Sequence, residues 1–207
     1  MSEKAAVFET TYQNYLNQLA AVDFLSRAER LGADVTGEAL TIPVYGTPYA
    51  ITRDGVRDAG GAQANFAISV LLCCYILQCP ATVPLAGDWM TYREFRNAGP
   101  LVGYFTANTQ KIIETAFAGN PAGLANACQG LGGRPFDDGA SYDISLIFDF
   151  LPRIPVLLRF NDRDSEFPAQ CAIMFPQSAE AFLDMECMAI GGTLLAGTLM
   201  QSLHRRA

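Results

Sequence analysis

The densest mixture of chemically active side chains lies between residues 88 and 95. Asp88, Trp89, Tyr92 and Arg93 place a carboxylate, an indole, a phenol and a guanidinium directly after an apolar segment. Aromatic rings supply contact area and a guanidinium pairs with an anionic group, so the cluster could line a ligand pocket. Hydrogen bonds from Trp89 and Tyr92 could equally anchor a loop, which is the more common role of such rings.

A second group of charged side chains is the run from Asn161 to Pro168, which holds the carboxylates of Asp162, Asp164 and Glu166. The twelve-residue calcium-loop pattern is absent, so a solvated hairpin loop is the simpler interpretation. These carboxylates would form a site if Arg93 or Arg134 reached them. We therefore predict no catalytic residue and no metal ligand, and take seven residues as candidate ligand-binding positions: Asp88, Trp89, Tyr92, Arg93, Arg134, Asp164 and Glu166.

Cysteines offer a third kind of chemistry, since Cys73, Cys74 and Cys79 form a C-C-x4-C run. Neighbouring residues on a helix project about 100° apart, so Cys73 and Cys74 do not easily face one small site. A metal site would also need a further ligand, from Cys128, Cys171 or Cys187. We therefore expect these thiols to pack as small apolar groups.

The overall composition excludes several classes of function. The chain has 207 residues with 14 Lys+Arg against 21 Asp+Glu, a net charge of −7, which argues against binding nucleic acid. The single histidine, His204, removes most histidine-based triads and every multi-histidine metal site. The glycines at 130–133 follow a predicted helix and lack the phosphate-loop pattern, so they indicate a helix end and a turn.

The location of the protein follows from its ends and its apolar runs. Met1–Lys4 carries a charge early and precedes no apolar signal core, which predicts no secretory signal. The longest continuously apolar run, 66–77, has twelve residues, whereas a membrane-spanning helix needs about 20. We therefore expect a soluble, cytoplasmic protein with no membrane partner.

The elements that must position these residues alternate between helical and strand patterns. Helices are predicted over 3–21, over 24–31 with Asp23 as cap and Gly32 as stop, over 65–78, over 101–118 and from Pro121 to near Leu131. Strands are predicted over 40–44, 49–52, near Val56, and over 143–150, 156–160 and 170–175. Ser178 is expected to cap a closing helix that is interrupted around Asp184.

This order predicts a single α+β domain over residues 1–207. Antiparallel meanders pack against several helices, with a buried central helix at about 65–78 and a C-terminal helix. The pattern leaves open whether the two meanders form one sheet. Gly191, Gly192 and Gly197 in the C-terminal helix indicate close packing, either inside the core or at the seam of a homo-oligomer.

Several segments together resemble a family of uncharacterised bacterial proteins that is found mainly in anaerobes and is catalogued as a domain of unknown function. The segments are PLAGDWMTYRE at 84–94, LGG at 131–133, LPRIP at 151–155, DSEFPA at 164–169 and SA at 178–179. The resemblance implies one domain without an assigned reaction. Some relatives are fused to an iron–sulfur domain associated with corrinoid proteins. This chain lacks that cysteine cluster, and Pro176 stands where the family is expected to have an aspartate.

Two main hypotheses of function follow. The first is a binding or accessory protein of anaerobic metabolism, which holds a small anionic ligand or a redox or corrinoid partner beside Trp89, Tyr92 and Arg93. The second is an enzyme that uses the acidic-loop carboxylates with Arg93 on a small organic acid or one-carbon carrier. The residue pattern does not decide whether the protein is an enzyme, and it identifies no cofactor. A third hypothesis is a structural dimer, assembled through the glycine-containing C-terminal helix.

Overall fold

The structure, a computed structural model, describes the backbone of residues 3–204 and the side chains of 10–203. Its helices are α1 (Glu3–Ala20), α2 (Ala28–Leu31), α3 (Phe66–Leu77), α4 (Val102–Phe105), α5 (Lys111–Phe117), α6 (Pro121–Gly130) and α7 (Met185–His204). Its strands are β1 (Asp34–Thr36), β2 (Ala39–Val44), β3 (Thr47–Thr52), β4 (Gly55–Asp58), β5 (Trp89–Thr91), β6 (Arg134–Pro135), β7 (Ile144–Leu151), β8 (Ile154–Asn161) and β9 (Gln170–Pro176). The predicted α+β fold with a C-terminal helix is confirmed.

The strands form two antiparallel sheets, which answers the question that the sequence pattern left open. The first has the order β1-β2-β3-β4 and the second the order β5-β9-β8-β7-β6. The six strands predicted from alternation are present. The pattern missed β1, β5 and β6, which have three, three and two residues and are too short to show a period.

The helix α3 is the buried central helix that the apolar run predicts. Asn65 caps its start, since its Oδ1 accepts a hydrogen bond from the Ile68 N–H at 3.0 Å. Arg27 closes its end by donating to the carbonyls of Ile76 and Leu77 at 2.8 and 2.9 Å. Among the residues described, no helix is both long and apolar enough to cross a membrane.

Tyr45 joins the first sheet to the second. Tyr45 and Gly46 make the two-residue turn between β2 and β3, with φ of 46° and 77°, the left-handed pair that a tight hairpin requires. The Tyr45 N–H donates to the Phe150 carbonyl of β7 at 3.0 Å, and its hydroxyl donates to the Gly191 carbonyl of α7 at 2.9 Å. One hydrophobic core therefore runs from the first sheet through the helices to the second.

The second sheet has one apolar face and one face that carries a buried charge. Alternate residues of β7 and β9 are buried on the helix-covered face, whereas the central strand β8 is buried on both faces over residues 156–160. On the opposite face Arg159 is 9% exposed, pairs with Asp138 and lies 4.7 Å from the ring centre of Tyr142. Because a buried guanidinium needs a partner, this contact holds the segment between β6 and β7 over the sheet.

The start of α7 differs from the prediction that Ser178 caps it. Residues Gln177–Ala181 form a separate 3₁₀ turn, and α7 begins only at Met185. Asp184 is the residue that caps α7, since its Oδ1 accepts a hydrogen bond from the Cys187 N–H at 2.8 Å. Ser178 was therefore the wrong cap, although the predicted interruption around Asp184 is confirmed.

Candidate functional site

The segment from Asp88 to Glu94 is held by β5 and by the 3₁₀ turn that follows it, Tyr92–Glu94. In β5, Trp89 pairs with Pro176 and Thr91 with Met174 of β9. The turn starts with a capping box, in which the Thr91 N–H and hydroxyl both donate to Glu94 Oε2 at 2.6 Å. Those hydrogen bonds lower the pKa of Glu94. The polar-aromatic cluster is thus anchored at both ends of a short strand-turn unit.

Tyr92 points into the protein and is fully partnered there. Its ring stacks on Phe105 of α4, with ring centres 4.2 Å apart and planes 7° from parallel. Its hydroxyl donates to the Met185 carbonyl in the first turn of α7 at 2.7 Å. Burial, assisted by the negative charges of Asp184 and Glu186, raises its pKa to about 12. Tyr92 is therefore neutral and anchors the turn.

A cavity of about 320 Å³ lies beside this anchor. It is lined by Thr91, Tyr92, Arg93, Val102, Phe105, Thr106 and Gln110. The helix from α4 to α5, predicted as continuous over 101–118, contains a five-residue π-helical turn at Thr106–Gln110, and both ends of that turn line the cavity. Such turns are rare, and they occur frequently at functional sites.

The other predicted site residues lie apart from this cavity. The Trp89 ring packs edge-on against Phe136, with ring centres 5.7 Å apart. Arg134 forms a two-pronged ion pair with Asp149 at 2.6 and 2.8 Å. Asp88 is exposed, and its carbonyl accepts a hydrogen bond from the Gln177 N–H at 2.8 Å. The structure thus brings Tyr92 and Arg93 together at one cavity, which none of these three residues lines.

The acidic loop uses its carboxylates to hold its own backbone. Asp164 Oδ1 accepts hydrogen bonds from the N–H groups of Glu166 and Phe167, both at 2.7 Å, and these lower the pKa of Asp164. Asp162 Oδ1 accepts from the Gly119 N–H at 2.6 Å, and Glu166 is exposed. None of these three residues lines the Arg93 cavity, so the geometry gives the enzyme hypothesis no support.

Sequence reasoning missed a second cluster, in which two thiols and a carboxylate meet. Cys74 of α3, Cys187 of α7 and the cap residue Asp184 have ligand atoms that all lie within 4.8 Å of one another. The Sγ of Cys74 lies 3.9 Å from Asp184 Oδ2 and 3.4 Å from the hydroxyl oxygen of Tyr15 in α1. Cys73 is outside this group, as the offset between helical neighbours predicts. The available signal was the spacing Asp184-x-x-Cys187 across one helical turn.

Hydrogen bonding is the largest influence on the pKa of the Cys74 thiol in this cluster. Hydrogen bonding to Cys187, with a further hydrogen bond to Tyr15, lowers the pKa of Cys74 against the opposing effect of burial. The same contact with Cys74 is the main cause that raises the pKa of Cys187 and of Tyr15. Three helices therefore meet at this sulfur atom, since Cys74 of α3 contacts Tyr15 of α1 and Cys187 of α7.

A cleft of about 550 Å³ adjoins the cluster on its outer side. Asp184, Met185 and Glu186 form one part of its lining, and Arg96 lies on another. Cys74 and Cys187 are 3% and 1% exposed, so Asp184 is the member of the cluster that meets the cleft. Tyr92 connects the two sites, because it lines the Arg93 cavity and its hydroxyl donates to the carbonyl of Met185, the residue after Asp184.

Comparisons with known proteins identify the family of the chain but no specific function. No curated protein and no solved structure matches the chain. The implied links to anaerobes, iron–sulfur domains and corrinoid partners stay predictions. A family model described as a domain of unknown function covers residues 23–198, which includes the Arg93 cavity together with Cys74, Asp184 and Cys187. The chain therefore belongs to the DUF3786 family of domains of unknown function.

Proposed function

We propose that the protein binds a small anionic molecule in the Arg93 cavity and serves as a binding or accessory protein. The family resemblance adds the expectation of a cytoplasmic role in anaerobic metabolism, beside a redox or corrinoid partner. None of the described residues that line the cavity forms a nucleophile–base pair, which supports binding in preference to catalysis. The cavity volume of about 320 Å³ suits a ligand of few atoms.

The observation that carries this proposal is the state of Arg93. Arg93 is exposed at the cavity, and among the described residues its guanidinium forms no ion pair or hydrogen bond, although its charge helps to lower the pKa of the neighbouring Glu94. A guanidinium presents a fork of donors that fits carboxylate or phosphate oxygens, and it stays charged at any physiological pH. In a chain with a net charge of −7, a cation available at a cavity favours an anionic ligand.

The rest of the lining fits the same class of ligand. Thr91, Thr106 and Gln110 contribute uncharged polar groups, and the stacked rings of Tyr92 and Phe105 form an apolar wall. The Gln110 amide is fixed in place, since its Nε2 donates to the Cys171 carbonyl at 3.1 Å. This arrangement of one cation, neutral polar groups and an apolar wall is typical of small-molecule sites.

Titration calorimetry with inorganic phosphate, acetate, oxalate and succinate tests the proposal on the full chain. We expect at least one of these anions to bind, and Arg93→Gln to weaken that binding by at least about tenfold, because a hydrogen bond to a charged group is lost. Arg57→Gln is the matched control, since its guanidinium donates to the Gly61 carbonyl in the first sheet. Binding that is absent for all four anions, or equally weak in both variants, would overturn the proposal.

A further inference from the structure

We propose that Cys74, Cys187 and Asp184 form a binding site for one thiolate-seeking divalent cation of the Zn²⁺ class. The site shares no residue with the Arg93 cavity, so it is independent of the function proposed there. Its ligands come from the middle of α3 and from the first turn of α7. Two sulfurs and one carboxylate oxygen are a donor set that Zn²⁺ takes in proteins.

The distances are close to those of a tetrahedral site. Zn²⁺ binds thiolate sulfur at about 2.3 Å and carboxylate oxygen at about 2.0–2.2 Å, so ligand atoms in a tetrahedron lie about 3.5–3.8 Å apart. Cys74 Sγ and Asp184 Oδ2 are 3.9 Å apart, and the whole set lies within 4.8 Å. The set therefore needs side-chain adjustments of less than about 1 Å to close around the ion.

The surrounding structure already orients each ligand. The capping bond to the Cys187 N–H holds Asp184 Oδ1, which leaves Oδ2 as the oxygen nearest to Cys74. The spacing of three residues brings Asp184 and Cys187 to one side of the first turn of α7, where the helix dipole favours negative charge. Tyr15 contacts the Cys74 sulfur at 3.4 Å and serves as an outer hydrogen-bonding partner.

The cleft supplies an entry path for the cation and room for a fourth ligand. Because Asp184 lines the cleft while both thiols are buried, an ion meets the carboxylate first and the sulfurs second. Three protein ligands leave one position of a tetrahedron for water from the cleft, as in zinc sites that are not closed by a fourth side chain. Binding releases one proton from each of the two thiols, so the ion gains two Zn–S bonds without any change of oxidation state.

Two neighbouring thiols could instead form a disulfide, which makes oxidation the main competing explanation. A disulfide would use neither the Asp184 carboxylate aimed at Cys74 nor the hydroxyl of Tyr15. A cation uses both groups, because the carboxylate binds it and the hydroxyl stabilises a thiolate ligand. The geometry therefore favours a metal site over a redox pair.

Cobalt substitution tests the site directly on the full chain, purified without oxygen and stripped with a chelator. We expect one equivalent of Co²⁺ to produce the sulfur-to-cobalt absorbance and the intense visible bands of a tetrahedral thiolate site. One equivalent of Zn²⁺ should then remove both signals. Cys74→Ser and Cys187→Ser should each lose the cobalt–thiolate absorbance, and Tyr15→Phe should weaken Co²⁺ binding by about tenfold as an outer partner.

Two further variants keep the test decisive if the serine variants fold poorly. Asp184→Asn keeps a capping oxygen and removes the charge, so it should fold normally and lose more Co²⁺ affinity than Tyr15→Phe. Cys73→Ser is the matched control, because Cys73 is an equally buried neighbour outside the cluster, and it should keep the full signal. The proposal is overturned by an absence of cobalt–thiolate absorbance, by equal loss in Cys73→Ser, or by a Cys74–Cys187 disulfide in protein that takes up no metal after reduction.

Discussion

The two sites that Tyr92 connects differ in how they are built. The Arg93 cavity is made by irregular backbone, namely a three-residue strand, a 3₁₀ turn and a π-helical turn, and its charged residue is exposed. The thiol–carboxylate cluster is made where three regular helices meet, and its two sulfurs are buried. The first site is organised by local hydrogen bonds and the second by long-range packing.

This difference determines how each site responds to amino-acid substitutions. A local site depends on the few residues that cap its turn, whereas a packed site depends on whether its helices keep their relative positions. Phe105 and Tyr92 link the two, because Phe105 lines the cavity, stacks on Tyr92 and lies against Gly192 of α7. Substitutions along α7 and at Tyr92 therefore test whether one site can be altered without affecting the other.

The largest effect is expected from Gly192→Leu, which should damage both sites together. A Cβ at Gly192 would lie 2.4 Å from Phe105 Cε2 and 3.0 Å from Thr109 Oγ1, so a leucine must displace the ring that backs Tyr92. We expect the free energy of unfolding to fall by about 3 kcal/mol or more, as for strong overpacking of a core. Denaturant unfolding measures this loss, and gel filtration tests the alternative that the residue lies at a dimer seam.

Gly197→Ala is the matched control in the same helix. Beyond its chain neighbours and the backbone of its own helix, no atom of the described residues lies within 4 Å of the position that its Cβ would occupy. Because alanine favours a helix over glycine, we expect a gain of about 0.5–1 kcal/mol in the free energy of unfolding. Dissociation of a dimer by Gly192→Leu, with the subunits still folded, would contradict the core assignment.

Asp184→Ala should have the next largest effect and should act on the cluster side alone. It removes the oxygen that accepts the Cys187 N–H at the start of α7, and loss of such a cap costs about 1 kcal/mol. Urea unfolding with a chelator present measures this cost without any contribution from a metal. Asp184→Asn is the control and should keep most of the stability, since asparagine caps as well as aspartate.

The sequence predicted the long elements better than it predicted either site. Strands such as β7 and β8 show a clear apolar pattern over eight residues each, and Gly32 ends α2 as expected with a φ of 66°. The cap of α7 was misassigned because Ser178 and Asp184 are both good capping residues. The preceding 3₁₀ turn, which tertiary packing stabilises, decides between them.

The Arg93 cavity and the thiol cluster show what local sequence can reveal of a site. Tyr92 and Arg93 stood out because polar and aromatic residues are adjacent in the chain. Cys74 and Cys187 are 113 positions apart in number, each inside an apolar helix, so only the packing of α3 against α7 brings them together. Trp89 and Arg134 were grouped with Arg93 by composition, but the sheet register directs them elsewhere. Asp164 instead holds the backbone of its own loop.

Tyr92→Phe tests the link between the sites with a smaller expected effect. It removes the hydrogen bond to the Met185 carbonyl and keeps the ring stack on Phe105, so we expect a loss of about 1 kcal/mol at neutral pH. Burial raises the folded-state pKa of Tyr92 to about 12, so its share of stability is complete below the unfolded value of about 10 and is lost as the pH rises to about 12. Between neutral and alkaline pH, the free energy of unfolding should therefore fall less in Tyr92→Phe than in the parent protein. Equal losses in the two proteins would contradict a buried, neutral Tyr92 phenol.

Arg134→Gln should have the smallest effect on the free energy of unfolding. It allows an arginine that forms an ion pair to be compared with Arg93, whose guanidinium forms none among the described residues. The hydrogen bonds from Arg134 lower the pKa of Asp149, so the pair stabilises the fold above the unfolded value of about 3.9 and loses this contribution as the pH falls through the lower folded value. Both side chains are more than half exposed, so the loss at neutral pH should be below about 1 kcal/mol and should shrink with added salt. Urea unfolding at neutral and acidic pH should show the difference disappear in acid. Arg93→Gln breaks no described ion pair and removes only a minor influence on the pKa of Glu94, so it should show a smaller pH dependence. An acid-dependent loss of stability in Arg93→Gln as large as that in Arg134→Gln would mean that Arg93 has a structural ion-pair partner, and would remove the reason for treating it as available to a ligand.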